Sequence, residues 1–423
     1  MHFERANRQQ ALIALVQILG LAVWFSASAV VPTLQREWGI SAAAGVWLTA
    51  SVQVGFVAGA VASTVLSLAD RFRPQVLLGT CAAGAALTTA ALAAFVDSLL
   101  PAIAIRFLTG VFLAGVYPVG MKLMASWSAP ALRGKAFGIL IGALTLGSAV
   151  PHLISSMGDL PWRNVMASAA ALAATGALTA VVAIRPGPYA ETASARPNRR
   201  YALAMFKEQR PKLANIGYFG HMWELYALWT WLPMYLLASQ GGKDSTLQTG
   251  LTMFLTMGVG GVAGALFGGW AADRWGRPKA AAMALAVSGS CCLLSPLMFW
   301  AEGIPMLIFL LVWGAAVIAD SGVFSTSLSE NIDPRYIGTA LTTQTAIGFL
   351  LTVVTIQLVP LFAAIVGWQY AFVLLLPGPL IGVMAMRRLA RTEPPTRKVN
   401  HDPHSDPLPT QGRTDCPIVA NDY

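Results

Sequence analysis

Charged side chains are scarce in this 423-residue sequence: they make up 11% of it, while 56% of the residues are apolar. An ordinary soluble protein carries about 25% charged residues, and the mean hydropathy of +0.61 also lies outside that class. The composition predicts an all-α membrane protein that crosses the bilayer several times. The charges cluster between apolar runs, so the net charge of +9 indicates loop asymmetry across a membrane and argues against a nucleic-acid partner.

Cysteine is also rare, and the motifs of several enzyme classes are missing. Cys81, Cys291, Cys292 and Cys416 have the spacing of neither a disulfide framework nor a zinc site, so we expect small apolar fillers. The chain has no Gly-x-x-x-x-Gly-Lys-Ser/Thr loop, which argues against ATP as an energy source. It has no HExxH pair and no nucleophile beside a base. We therefore expect no enzyme activity, no metal and no cofactor, although His152, His221 and Glu224 could in principle bind a metal.

Long apolar runs are what the sequence has in abundance. A run of about 20 residues is long enough to cross the hydrocarbon core as a helix. Twelve predicted spans have the approximate limits 11–32, 44–67, 75–96, 99–124, 136–156, 164–185, 212–239, 246–272, 279–300, 304–328, 337–361 and 367–387. The run that starts at residue 11 is too long for a signal-peptide core, so the first span is predicted to remain as an anchor.

The distribution of lysine and arginine predicts the orientation. With a cytoplasmic N-terminus, 24 of the 28 basic residues lie on the cytoplasmic side, Arg36, Arg163 and Lys243 lie outside, and Arg106 lies within a span. We therefore expect a multi-pass protein of the inner (plasma) membrane with both termini in the cytoplasm. The proline-rich, mixed-charge stretch 185–211 is a predicted linker between two six-helix bundles, 1–184 and 212–390, and the polar segment 391–423 is a predicted disordered tail.

A repeated loop suggests that the two halves are duplicated. ADRFRP begins at Ala69, and ADRWGRP begins at Ala272. Six plus six spans with this loop in corresponding places resembles the major facilitator superfamily, in which the loop has the pattern Gly-x-x-x-Asp-Arg-x-Gly-Arg. The second copy matches it with Gly269, Asp273, Arg274, Gly276 and Arg277. The first copy keeps Asp70, Arg71 and Arg73 but has Leu66 in place of the first glycine and lacks the inner one.

The resemblance implies a secondary transporter that works by alternating access, with Asp70 and Asp273 as latch residues of a cytoplasmic gate. A carboxylate there can cap a neighbouring helix and pair with arginines; the alternative is positive-inside topology plus a tight turn. The fourth span is similar to the Arg-x-x-x-Gly pattern that the family has in this helix. The residues expected to serve close helix packing are Gly110, Gly115, Pro118, Gly142, Gly147 and Pro151. The fifth span lacks the Gly-Pro pair of many proton-driven exporters of the family.

Ionisable residues inside the spans are the candidate site. His221 and Glu224 lie three apart on one face of the seventh span, and each ionic residue at a span centre costs about 2.5 to 3.5 kcal/mol. In the resembled family the first, fourth, seventh and tenth helices line the cavity, so Arg106, His221, Glu224 and Asp320 are expected to face one another. Burial raises the pKa of a carboxyl group and a nearby cation lowers it. Together they can place the pKa where the group takes up and releases a proton near neutral pH. We predict that Glu224, assisted by His221, is a proton site, with Arg106 as its counter-charge or as the anchor of an anionic substrate.

Other interpretations of these residues stay open. Glu224 could be a neutral structural acid, His221 could orient a neighbour, and Asp320 could belong to the gate. His152 could bond to the fourth span at the depth of Arg106 or fill a kink left by Pro151. Further residues with a possible place in the cavity, or in packing and interhelical hydrogen bonds, are Gln17, Trp24, Gln53, Tyr117, Trp223, Tyr226, Trp229, Trp231 and Gln344.

The sequence leaves three functions open. We favour a monomeric, proton-coupled transporter of a small organic anion, in contact with lipid. The alternatives are a proton-driven efflux antiporter of cationic or drug-like compounds and a transport-inactive membrane sensor or scaffold. Substrate identity and the direction of transport are not encoded in any motif of the sequence.

Overall fold

The computed structural model describes residues 2–66, 68–129, 133–157, 160–189, 205–239, 246–333 and 336–392. These residues are nearly all helical, and no strand occurs among them. A chain with so little charge must satisfy its backbone polar groups inside the bilayer without water, and a helix does so within one segment.

Twelve helical spans follow one another in the residues that the structure describes. Six are uninterrupted α-helices in the first nine spans: Trp47–Val65 (second), Pro74–Phe95 (third), Arg133–Ser155 (fifth), Trp162–Ala183 (sixth), Gln209–Ser239 (seventh) and Arg277–Met298 (ninth). The fourth span consists of Leu99–Leu113 and Tyr117–Ser126, the tenth of Ile304–Ala319 and Ser321–Glu330, and the eleventh is Ile337–Val366. The eighth span runs through Thr246–Met253, a π-helical stretch Phe254–Gly260 and Gly261–Trp275, and the twelfth through Trp368–Leu375 and Pro377–Arg391.

The first span differs most from its prediction. Its helix, His2–Leu21, starts nine residues earlier than residue 11 and stops at Leu21, and the chain continues through a non-helical break at 22–27 into Ser28–Val30 and Val31–Trp38. The break contains neither proline nor glycine, so no local signal announced it. Shorter helices at Ala42–Gly45 and Leu68–Arg71 flank the second span.

Ten helices in the described part of the chain are long and apolar enough to cross a membrane. The first helix falls short because Glu4, Arg5 and Arg8 lie within its 20 residues. The seventh is long enough, with 31 residues, but its polar and aromatic side chains lower its hydropathy. Both helices are long enough to cross a membrane but are less apolar than the other ten. Both pack among those ten.

The two ends of the bundle are fixed by hydrogen bonds between helix ends. Gln9 and Gln10 donate to Ala183 O and Trp127 O, each at 3.1 Å, and Arg210 bonds to Asn331 and Thr392. We call this the terminal end, because the first span starts there and the twelfth ends there. The opposite end, with the Arg163–Asp97 ion pair, is the far end.

Two seams join the first six spans to the last six. In one, the second span packs on the eleventh, with the Thr64 and Thr342 hydroxyls 2.9 Å apart near the terminal end. In the other, the fifth span packs on the eighth, from Gly134 beside Asp273 to Ser156 beside Gly250 near the far end. Residues 1–392 form one compact unit. The predicted boundaries 1–184, 185–211 and 212–390 stay predictions, and of the predicted tail 391–423 only the first two residues lie within the described part of the chain.

Candidate functional site

Arg106 lies fully buried in the fourth span, and backbone carbonyls are its main partners. Its guanidinium donates to Val23 O at 2.9 Å, to Leu48 O at 3.2 Å and to Trp24 O. A weaker contact of 3.4 Å reaches the Ser26 hydroxyl. Val23 and Trp24 belong to the break after the first span, where carbonyls have lost their helical donors. The arginine therefore replaces the hydrogen bonds that the break removes.

Glu224 lies at the midpoint of the seventh span, fifteen residues from each end, and is also fully buried. Its Oε1 accepts from Trp313 Nε1 at 2.8 Å and from Cys292 Sγ at 3.4 Å, and its Oε2 accepts from Ser288 Oγ at 2.9 Å. All three donors are neutral, and they come from the ninth and tenth spans. Within the described part of the chain, no cation forms an ion pair with this carboxyl group.

His221 and Asp320 form a second buried pair, one turn closer to the terminal end. His221 Nδ1 lies 2.9 Å from Asp320 Oδ1, although the contact lacks the alignment of a good hydrogen bond. His221 Nε2 lies 3.3 Å from the Ser321 hydroxyl, and its ring packs against Phe324. Asp320 occupies the break between the two helices of the tenth span. The pair therefore ties the seventh span to the interruption in the tenth.

The expected four-residue cluster is only partly brought together. His221, Glu224 and Asp320 are all buried in the interior of the last six spans. His221 pairs with Asp320 and not with Glu224, while Arg106 bonds only within the first six spans. His152 is buried at the end of a fifth helix that runs on through Pro151, and its Nε2 has no hydrogen-bond partner in the described residues, so it does not bond to the fourth span.

The second copy of the repeated loop is well organised at the terminal end. The Asp273 carboxylate lies against Gly134 in the first turn of the fifth span, where Gly269 also comes close. Gly276 has φ +87°, a left-handed backbone that favours glycine and turns the chain between the eighth and ninth spans. Arg277 binds Glu330 with two contacts of 2.7 and 2.8 Å, and Arg274 is exposed.

The first copy of the loop is looser. Arg71 and Arg73 are exposed, and Leu66, which replaces the first glycine, is half exposed. The side chain of Asp70 lies outside the described residues, so its predicted latch role stays a prediction.

The residues predicted for helix packing lie mostly at close crossings. A methyl group on Gly110 would overlap Val52 O of the second span, one on Gly115 would overlap Cys81, and one on Gly147 would overlap Ile18 O. Gly142 has only ordinary contact with Val262. Pro118 lies in the first turn of the second helix of the fourth span, a position that needs no backbone donor.

An aromatic layer connects the two halves. It consists of Trp24, Phe25, Phe56, Tyr226, Trp229 and Phe349. Phe25 stacks on Trp229 at 4.8 Å with an interplanar angle of 8°, and Phe56 lies 4.6 Å from Phe349. Of the other predicted cavity aromatics, Trp223 and Trp231 donate to Leu374 O and Ile356 O instead.

A group of uncharged polar residues extends from Tyr226, a member of the aromatic layer, over one to three turns towards the terminal end. Tyr218 and Tyr226 are buried about two helical turns apart on the seventh span, and Tyr117 is partly buried on the fourth. Gln17 donates to Val116 O at 3.2 Å, next to Tyr117, and Gln344 is buried beside Thr345. We call Gln17, Tyr117, Tyr218, Tyr226 and Gln344 the neutral cluster; its members come from both halves.

Sequence reasoning missed the partners of Glu224. Ser288 and Cys292 lie four apart on one face of the ninth span, and Cys292 is a hydrogen-bond donor where we expected a filler. Trp313, on the tenth span, completes the set. Their spacing on the ninth span was visible, but nothing in the sequence showed that this face meets Glu224.

Comparison with known proteins decides the family. The model of the Major Facilitator Superfamily matches residues 13–356 and 215–414. The chain belongs to the major facilitator superfamily. The predicted all-α membrane fold is thereby confirmed, and so is the prediction that the protein is a membrane transporter and not an enzyme.

Three bacterial transporters are similar in sequence. The niacin transporter of Acinetobacter baylyi is 25% identical over 62% of this chain and 67% of its own length. The probable sulfoacetate transporter of Cupriavidus necator is 25% identical over 74% and 77%, and the gallate transporter of Pseudomonas putida is 27% identical over 62% and 64%.

Two solved structures share the fold. The proton:xylose symporter bound to a bromodeoxyglucose superposes with a TM-score of 0.70 at 15% identity, covering 90% of this chain and 96% of the symporter. The human organic anion transporter MFSD10 has a TM-score of 0.68 at 18% identity, covering 90% and 99%. At these identities the likeness concerns the fold alone.

Proposed function

We propose that this protein carries a small organic anion together with a proton across the inner (plasma) membrane, with both termini in the cytoplasm and Glu224 as the proton site. The observation that carries the proposal is the setting of the Glu224 carboxyl group: fully buried, at the centre of a span, and held by three neutral donors. An ionised carboxylate there has no fixed counter-charge, so taking up a proton removes a large electrostatic cost.

Ser288 makes it possible for Glu224 to change its protonation state without losing its partners. The Ser288 hydroxyl lies 2.9 Å from Glu224 Oε2 and 3.3 Å from Leu285 O. It donates to the carboxylate when Glu224 is ionised. When Glu224 is protonated, the hydroxyl turns to Leu285 O and accepts the new carboxyl proton. Trp313, which only donates, keeps Oε1 in place in both states.

The His221–Asp320 pair supplies a route to Glu224 from the terminal end. Ala319 and Gly322, on either side of this break in the tenth span, line a cleft between the fifth, eighth and tenth spans. Asp273 lines the same cleft where it reaches the terminal end. A proton entering there reaches Asp320 and His221 before Glu224. Because Asp320 lies at the break in the tenth span, a change in its charge can shift the two helices of that span relative to each other.

The similar transporters support an anionic substrate. Niacin, sulfoacetate and gallate are all acids that are anions at neutral pH. Arg106 is not the anchor of that anion, because its guanidinium is engaged with carbonyls of the first and second spans. With a proton on Glu224 and a monovalent anion bound, the loaded site carries the same net charge as the empty site with Glu224 ionised, so binding the two together adds no net charge to the interior.

The decisive experiment reconstitutes the purified protein in vesicles and imposes a pH gradient. We expect uptake of labelled nicotinate or gallate to follow the gradient, and Glu224→Gln to abolish gradient-driven accumulation while exchange of substrate between equal concentrations persists. Glu302→Gln, which removes an exposed carboxylate between the ninth and tenth spans, is the matched control.

Each other outcome has a meaning. Full gradient-driven accumulation by Glu224→Gln rejects the proton site. Movement against the proton flow identifies an antiporter and rejects symport, and a protein that moves none of a broad panel of anions and cations is a sensor or scaffold.

A further inference from the structure

We propose that the substrate is a single-ring aromatic acid, held between the aromatic layer and the neutral cluster. The inference rests on the proposed function in that both concern one transported anion, but it addresses a different part of the molecule. It predicts binding, which needs neither Glu224 nor a proton gradient.

The first support is the location of the aromatic layer. Its six rings come from the break after the first span and from the second span on one side, and from the seventh and eleventh spans on the other. The Phe25–Trp229 stack is nearly parallel, which is the arrangement that a flat ring can extend or enter. A substrate that parts these rings takes over their stacking and faces both halves at once.

The second support is a set of buried polar atoms without partners. Gln344 is fully buried, and neither atom of its amide has a hydrogen-bond partner among the described residues; the same holds for Gln17 Oε1 and the indole nitrogens of Trp24 and Trp229. A buried polar group without a partner costs about 1 to 3 kcal/mol. Several such atoms between the two halves are what a polar ligand would satisfy.

The helical positions place these atoms around one space. Gln344 lies one turn from Gly348, whose Cα faces the Tyr218 ring. Tyr226 links the two groups, since its ring contacts Phe25 and Phe349 and it lies about two turns from Tyr218 on the same helix. A ring of about 3 Å radius with one carboxyl group spans the one to two helical turns, at about 1.5 Å per residue, between the layer and Gln344.

The charge of the site selects the chemical class. The neutral cluster and the aromatic layer contain no ionisable acid or base other than phenols, and Arg106 faces the break behind Trp24. A carboxyl group is therefore bound by amide, indole and phenol donors, and the ring supplies most of the contact. An aliphatic acid of equal charge lacks the flat face for stacking, and a sugar lacks the carboxyl group.

Isothermal titration calorimetry on the purified protein in detergent tests the class. The probes are 4-hydroxybenzoate, gallate and nicotinate, with cyclohexanecarboxylate as the non-aromatic acid of matched size and xylose as the neutral ligand. We expect at least one aromatic acid to bind at least tenfold more tightly than both comparison compounds. Equal binding of cyclohexanecarboxylate, tighter binding of xylose, or no binding of any aromatic acid overturns the proposal.

Variants locate the site. We expect Gln344→Ala and Tyr218→Phe each to weaken binding of that acid about tenfold. Gln357→Ala, on the same span but some 13 residues towards the far end, is the matched control and leaves binding unchanged. Unweakened binding in both site variants overturns the location. If Gln344→Ala lowers the unfolding temperature, Tyr218→Phe decides alone, since it removes one hydroxyl from the surface of a ring that stays in place.

The two proposals fail separately. Binding of the aromatic acid with normal proton coupling in Glu224→Gln rejects the proton site and keeps the substrate class. Proton-driven transport of a different anion, without binding of aromatic acids, rejects the class and keeps the proton site.

Discussion

Each half of the transporter buries an ionic residue in a span, and the two halves satisfy it differently. In the first half, Arg106 is fixed by backbone carbonyls that a break in the first span has exposed. In the second half, Glu224 is held by side-chain donors that are neutral and can rotate. Carbonyls cannot change their role, whereas a hydroxyl can. Buried charge therefore stabilises the structure in the first half, whereas in the second half its setting suits proton exchange.

The first span of each half shows the same difference in its backbone. The first and seventh spans occupy corresponding places, yet the first is broken at 22–27 while the seventh runs unbroken for 31 residues. The break in the first half gives Arg106 its acceptors and turns Trp24 and Phe25 toward the other half. The seventh span keeps its own hydrogen bonds and presents Glu224 sideways to the ninth and tenth spans.

Substituting Arg106 tests whether the buried charge of the first half is structural, and it should have the largest effect on stability. A hydrogen bond to a charged group contributes about 1.5 to 3 kcal/mol, and Arg106→Ala leaves three carbonyl partners without it. We expect a large fall in the thermal unfolding temperature in detergent, and a smaller one for Arg106→Lys. Glu224→Gln, which keeps shape and donors, should unfold close to the unmodified protein. An Arg106→Ala protein of unchanged stability would contradict the structural role.

Several features of the two halves could be predicted from the sequence. The twelve spans follow from long apolar runs, and His221 and Glu224 are prominent because ionic residues are costly at a span centre. The repeated loop with Gly276 and Arg277 was legible because its turn needs specific residues. These features are local, and local patterns carry them.

The partners were not legible. Glu224 meets Ser288, Cys292 and Trp313 across 64, 68 and 89 residues of chain, so only the packing of the seventh, ninth and tenth spans brings them together. Arg106 was expected to face the acids because the fourth span lines the family's cavity. Arg106 instead donates to the carbonyls of Val23 and Trp24, which the break leaves without helical partners. The break contains no proline or glycine from which it could have been predicted.

Substituting His221 or Asp320 tests the role of the buried pair in the second half, and it should have an intermediate effect. If either residue is removed, the other is left buried without its nearest polar partner, which costs about 1 to 3 kcal/mol. We therefore expect His221→Gln and Asp320→Asn each to lower the unfolding temperature and to slow proton-driven uptake. The double variant should lose less than the sum of the two. Strict additivity in both measurements would show that the two residues do not act as a pair.

The smallest effect is expected at the terminal end, where the comparison concerns the two loop copies. Arg277 binds Glu330 through two contacts, but the side chains are 24% and 53% exposed, and such pairs contribute about 0.2 to 1 kcal/mol. Arg277→Gln should leave the unfolding temperature nearly unchanged. If Arg277 helps to close the cleft beside Asp273, the loss still shifts the balance of open and closed forms by up to about fivefold.

That shift is measurable as accessibility. A single cysteine placed at Thr326, which lines the cleft, should react faster with a water-soluble maleimide in Arg277→Gln than in the unmodified background. Arg73→Gln, the corresponding change in the looser first copy, is the control, and we expect it to leave the rate unchanged because Arg73 is exposed and distant from the cleft lining. Equal rates in both variants would mean that the second loop copy fixes the turn between two helices and has no part in gating.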